Sequence, residues 1–179
     1  MTLGERQIER WARQIILPEV GGRGQVRLLE ATAAVVGVGG AARFAADLLA
    51  RAGIRVQDGG EADVTLDFFG DDAGATARGR RARDARRPFI AVSARADFAD
   101  VTTLVGRPCV DCVPLAAAAR EPEAPLALAV GALAAGEVLR VILMPAGVGR
   151  AQTLDLRTGS LASRTLAGPG CAACGATSS

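Results

Sequence analysis

Hydrophobic positions along the chain fall first at helical spacing. Ile8, Trp11, Ala12, Ile15 and Ile16 form one stripe, which predicts an amphipathic helix over 5–16 that Pro18 brings to an end. After the Gly21-Gly22 turn, a second short helix is expected over about 25–30. Residues 32–37 then form a small-residue and β-branched run suited to a buried strand. That strand leads directly into Gly37-Val38-Gly39-Gly40, and 41–52 returns to helical spacing with Phe44, Leu48 and Leu49 on one face and Gly53 as its stop. Strand, glycine turn and helix together open a nucleotide-binding unit.

The pattern then alternates. A strand over 63–69, an arginine-rich helix over 72–87 and a strand over 88–93 predict βαβ connections and a parallel sheet. A short strand over 101–105 ends at Cys109-x-x-Cys112, and a proline-rich loop around 121–125 precedes a long apolar helix, 126–143, expected to be largely buried. Strands over 152–157 and 161–166 join through Thr158-Gly159-Ser160 as a hairpin, and Cys171-x-x-Cys174 follows. Residues 54–58 are expected to be a connector. A parallel neighbour needs a crossover of about a dozen residues, and 59–62 is far shorter than that. The expected fold is α/β and Rossmann-like, a mainly parallel sheet flanked by helices, with a C-terminal strand hairpin and a four-Cys zinc knuckle. It is expected as one domain, 1–179, made of N-terminal helices (1–31), a shortened core (32–105) and a zinc-stapled C-terminal part (106–179).

Composition narrows the chemistry. The chain has 179 residues, 50% of them hydrophobic, enough for one well-buried core. With 21 basic against 19 acidic residues the net charge is +2, too small for a general attraction to nucleic acid or membrane. All the basic residues are arginine, and there is no His and no Tyr. The absence of His excludes imidazole bases, Ser-His-Asp and Cys-His pairs and histidine metal ligands; the absence of Lys excludes Schiff bases and a Walker lysine. No export signal or membrane-length run is read, so the expected location is cytoplasmic. In a reducing compartment the four cysteines read as metal ligands rather than disulfides.

The stretch Arg10-Trp-Ala-Arg-Gln-Ile-Ile-Leu-Pro-Glu-Val-Gly-Gly-Arg-Gly-Gln25, with the strand and Gly37-x-Gly-Gly40 after it, resembles the opening of ThiF, MoeB and HesA proteins, adenylating relatives of ubiquitin-activating enzyme. Pro169-Gly-Cys-Ala-Ala-Cys-Gly175 resembles that family's terminal zinc knuckle. The resemblance implies ATP and magnesium bound over the glycine turn. It also implies adenylation of the C-terminal glycine of a ubiquitin-like sulfur carrier or peptide, and frequent dimerisation. It assigns Gly37, Gly39 and Gly40 to the phosphate-facing turn, Asp67 to the nucleotide site, and Arg13 to an arginine reaching the partner subunit's nucleotide. Two departures stand against activity. Between Gly53 and Asp63 the family carries several tens of residues with a ribose-binding acid, an Asn/Arg loop and a Lys, and here about nine replace them, Asp58 being the one candidate ribose carboxylate. In Asp67-Phe-Phe-Gly-Asp71, a glycine stands where the family's magnesium carboxylate would be.

For each site a plainer alternative stands beside the functional one. Cys109, Cys112, Cys171 and Cys174 are assigned to structural zinc, against free thiols or a redox pair. The glycine turn could serve backbone shape alone, and Arg13 could be a solvated charge. The basic run Arg78, Arg80, Arg81, Arg83, Arg86, Arg87 is taken as a solvated face with acidic-partner docking as the alternative, nucleic acid being disfavoured without interleaved aromatics. Trp11 is assigned to packing. Two functions follow: a catalytically degenerate scaffold subunit, as homodimer or beside an active ThiF/MoeB-like partner, or a minimal ATP-dependent adenylyltransferase in which arginines such as Arg43 or Arg55 replace the lysine.

Overall fold

A computed structural model describes residues 2–68, 72–95, 97–113, 115, 124–145, 148–166 and 171–175. Gly70 and Asp71 of the strand-end motif, most of the 121–125 loop and Pro169-Gly170 lie outside the described residues.

Two helices open the chain, α1 (Glu5–Ile15) and α2 (Gly21–Glu30), followed by β1 (Thr32–Val36), α3 (Gly40–Ala52), β2 (Arg55–Gln57), β3 (Val64–Phe68) and α4 (Asp72–Asp84). Then come β4 (Phe89–Arg95), β5 (Phe98–Leu104), α5 (Ala124–Leu143), β6 (Arg150–Asp155) and β7 (Ser160–Thr165). Among the described residues, one sheet holds the strands in the order β2-β1-β3-β4-β5-β6-β7. From β2 to β4 every pairing is parallel; from β4 to β7 every pairing is antiparallel.

Strand alternation divides the side chains between two faces. Ala33, Val35, Val64, Leu66, Phe68, Ile90, Val92 and Val101 point to the main core, beneath α3 and α5. On α5, Leu126, Val130, Ala134, Val138 and Val141 are buried at helical spacing. α5 crosses the first turn of α3 so closely that a Cβ on Gly131 would lie 2.7 Å from the Ala41 carbonyl oxygen. At 20 residues, α5 is long and apolar enough by length and composition to cross a membrane, which corrects the expectation that no run reaches that length. Its buried stripe is accounted for by α3 and the sheet. The opposite face carries α4 and a smaller cluster of Ala82, Phe89, Leu104, Val110 and Leu166.

Residues 54–58 require a second correction: Arg55–Gln57 is a strand, parallel to β1. The crossover that a parallel pair demands is α3, between β1 and β2. The short stretch 58–63 links β2 to β3, which are not neighbours but flank β1 on either side. Gln57 ends level with Ala34 and Val64 begins level with Ala33, so the chain climbs back only about one residue, ~3.3 Å, while stepping over β1. The Gln57 amide holds the step, donating to the Gly59 and Glu61 carbonyls at 2.8 Å each.

Candidate functional site

The two Cys-x-x-Cys pairs, far apart in sequence, meet below α4. Each is a tight turn, with Cys112 N–H donating to the Cys109 carbonyl at 3.0 Å and Cys174 N–H to the Cys171 carbonyl at 3.1 Å. The turns bring sulfurs together at 3.9 Å (Cys109–Cys112), 3.8 Å (Cys109–Cys171), 3.6 Å (Cys112–Cys174) and 3.8 Å (Cys171–Cys174). Tetrahedral thiolate coordination with metal–sulfur bonds of about 2.3 Å sets sulfurs about 3.8 Å apart, so the cluster fits a metal ion of that kind. The thiols are unequal. Burial pushes Cys112 up to about 12, whereas the Cys171 backbone N–H, donating to the Cys174 sulfur at 3.3 Å, helps bring Cys174 down to about 7. Four thiolates at this separation need a central cation to coexist.

The arginine helix braces this site, correcting the solvated-face expectation for Arg78 and Arg83, while Arg80, Arg81 and Arg86 are exposed as expected. Asp111, inside the first cysteine turn, accepts from Arg80 at 2.8 Å and from Arg83, and both arginines hold its carboxyl below the usual carboxylate range. Gly79 faces the same turn: a Cβ there would meet the Val110 Cβ at 3.0 Å. Arg78 turns the other way and donates to Asp67 at 2.5 Å. The one signal in the sequence for the brace was Asp111 between the cysteines, opposite basic residues spaced three apart.

At the other end of the sheet the glycine turn takes its expected place between β1 and α3. Gly37 has φ +116° and Gly39 φ +109°, a region that favours glycine, and Gly40 begins α3. A Cβ on Gly37 would collide with the Phe68 carbonyl oxygen and lie 2.9 Å from the Phe68 Cβ, so this glycine also serves the backbone shape. Asp67 pairs in register with Val36 and is 1% exposed, with Oδ2 on Arg78 and Oδ1 without a hydrogen-bond partner among the described residues. Asp58 lies on the β2–β3 step. Arg13 stands on the last turn of α1, exposed, with no ion pair among the described residues. On the same helix and just after it, Ile8, Ile16 and Leu17 are 48%, 76% and 47% exposed, so the predicted apolar stripe of α1 is covered mainly at Trp11.

Two residues of the opening motif work on α3. Trp11 Nε1 donates to the Arg51 carbonyl at 3.0 Å, and Gln25 Nε2 to the Ala52 carbonyl at 2.9 Å. These are the carbonyls a helix end leaves open.

A parallel β-sheet half entered by a glycine turn, an antiparallel half, and paired cysteines after β5 and after β7 make up a ThiF/MoeB-like α/β fold. A stretch of 53 residues is 46% identical to adenylyltransferase and sulfurtransferase MOCS3 of Bos taurus and 48% identical to that of Mus musculus. The match spans 30% of this chain and 12% of those proteins' length. Among solved structures, E. coli MccB with MccA-N7isoASN superimposes with a TM-score of 0.74 at 16% identity, over 93% of this chain and 75% of that one. PaaA gives 0.74 at 15%, over 92% and 75%, and E. coli MccB with ATP gives 0.68 at 16%, over 84% and 68%. No protein-family model matches the chain.

Proposed function

We propose that this protein is a non-adenylating ThiF/MoeB-like subunit, stapled by structural zinc and working in the cytoplasm, that lends Arg13 to the nucleotide site of an active partner. The observation that carries it is the step from β2 to β3. Residues 58–63 are spent crossing β1; Asp58, just after β2, stays as a candidate ribose carboxylate, but none remain to form the Asn/Arg loop or the lysine that the resemblance implies for an ATP pocket. Asp67 adds to this, since its carboxylate is buried on Arg78. Each charged group lost from a phosphoryl-transfer site costs about 2–4 kcal/mol of transition-state stabilisation, so several together remove measurable turnover.

The exposed apolar residues on and just after the helix that carries Arg13 support the paired form, because an arginine offered across an interface needs an apolar surface beside it to dock. The partner that receives Arg13 is an active ThiF/MoeB-like protein, a homodimer of this chain being a scaffold form only, and the substrate handled by the active pair is a ubiquitin-like carrier or peptide. Zinc suits four thiolates because it accepts a closed tetrahedron, and with every cysteine engaged none is left for a thioester. Substrate-dependent ATP–pyrophosphate exchange tests the function. The pure protein is expected to be silent, and mixing with an active homologue is expected to raise that homologue's exchange, an increase that Arg13→Ala removes without changing the melting temperature. Exchange by the pure protein overturns the proposal.

A further inference from the structure

Among the described residues, the chain passes from β2 to β3 by the 58–63 step and not by a helix. A cleft of about 440 Å³ lies between the step and α4. Val36, Ala62, Ala82 and Ala85 make its lining mainly apolar, with the Thr65 hydroxyl group among them, and Arg78, Arg81 and Arg87 line it too. These charges are unequally engaged. Arg78 is held by Asp67, whereas Arg87 reaches Glu61 only at 3.8 Å, that glutamate being 94% exposed. Arg81 has no ion pair among the described residues. The cleft therefore presents an excess of positive charge beside a mainly apolar lining, and its volume is in the range of small-molecule sites, about 300–1,000 Å³.

We propose that this cleft binds a small organic anion, with an apolar or aromatic body on the alanine and valine lining and a phosphate-type head between Arg81 and Arg87. Guanidinium groups suit both parts, since they pair with phosphate through two N–H groups and stack on flat rings. Asp67 is a positioning residue, fixing the Arg78 side chain at the wall. The cleft adjoins the glycine turn at Val36 but is lined by none of Gly37, Gly39 and Gly40, and the proposal does not depend on whether the protein adenylates.

The test is calorimetric titration of the full chain with 1-naphthyl phosphate, beside inorganic phosphate and 1-naphthol as head-only and body-only probes. The expected result is saturable binding of 1-naphthyl phosphate, with each single-part probe at least tenfold weaker. Arg81→Gln is expected to weaken binding about tenfold, and Ala85→Trp, which fills the cleft without touching a charge, to abolish it; Arg164→Gln, on β7, is the control and leaves it unchanged. Circular dichroism melts verify that each variant is folded. Absence of saturable binding overturns the proposal. So does a loss with Arg81→Gln alone, which places the anion on the outer surface of α4, and so does a loss with Ala85→Trp alone, which means that the anionic head is not recognised.

Discussion

Gly37 is the residue on which the turn depends. Its backbone angle and its contact with Phe68 both exclude a side chain, so Gly37→Ala is expected to lower stability by at least about 2 kcal/mol, read as a shift in the urea midpoint. Trp11 and Gln25 matter through hydrogen bonds that no periodicity displays. Trp11→Phe keeps an aromatic ring but removes the donor to Arg51 and part of the buried indole, and is expected to cost at least about 1 kcal/mol by the same measurement. At this scale the four cysteines were legible, because paired thiols at metal-ligand spacing have few other uses. The partners of Asp67 and Asp111 were not legible, because an arginine run does not reveal which of its members turn inward.

At the scale of elements, α5 is tied to the antiparallel half by one buried carboxylate. Glu137, 1% exposed, accepts from Thr103 Oγ1 at 2.7 Å, from Arg140 at 2.9 Å and from Arg150. Burial raises its affinity for a proton, but Arg150, Arg140 and Thr103 outweigh that and hold it below its ordinary value of 4.5. A depressed folded value means the stabilisation is complete above 4.5 and is lost as pH falls through the folded value. Chemical denaturation between pH 7 and 3 is expected to show a decline confined to the acid end, and Glu137→Gln is expected to flatten that part. Glu137→Ala, which strands two arginines, is expected to cost about 3 kcal/mol. The buried helix itself was evident from its apolar run, as were β1, β3 and β4. The cluster was not evident, since it joins residues far apart in the chain. Strand β2 was missed for a related reason: Arg55 and Gln57 are exposed edge residues, and the short connector after them was matched to the wrong pair of strands.

For the whole molecule, the cysteine cluster connects the end of the chain to the loop beneath α4, across residues that span α5 and the hairpin. Elemental analysis is expected to find one zinc per chain, and Cys171→Ser with Cys174→Ser to abolish it and lower the melting temperature by many degrees. A metal-free protein whose four thiols all react with a thiol reagent in the native state removes the staple.

The step across β1 has a further consequence for engineering. Gly59, with φ +72° and nothing within 4 Å of where its Cβ would stand, sits at an outer corner where the chain has already finished one edge strand and not yet begun the next. Polypeptide spliced in at that corner would leave the register of every strand intact, so the chain is a natural recipient for a grafted loop. A transplanted segment carrying the Asn/Arg loop and lysine that the resemblance implies would measure how much adenylating activity that one insert supplies.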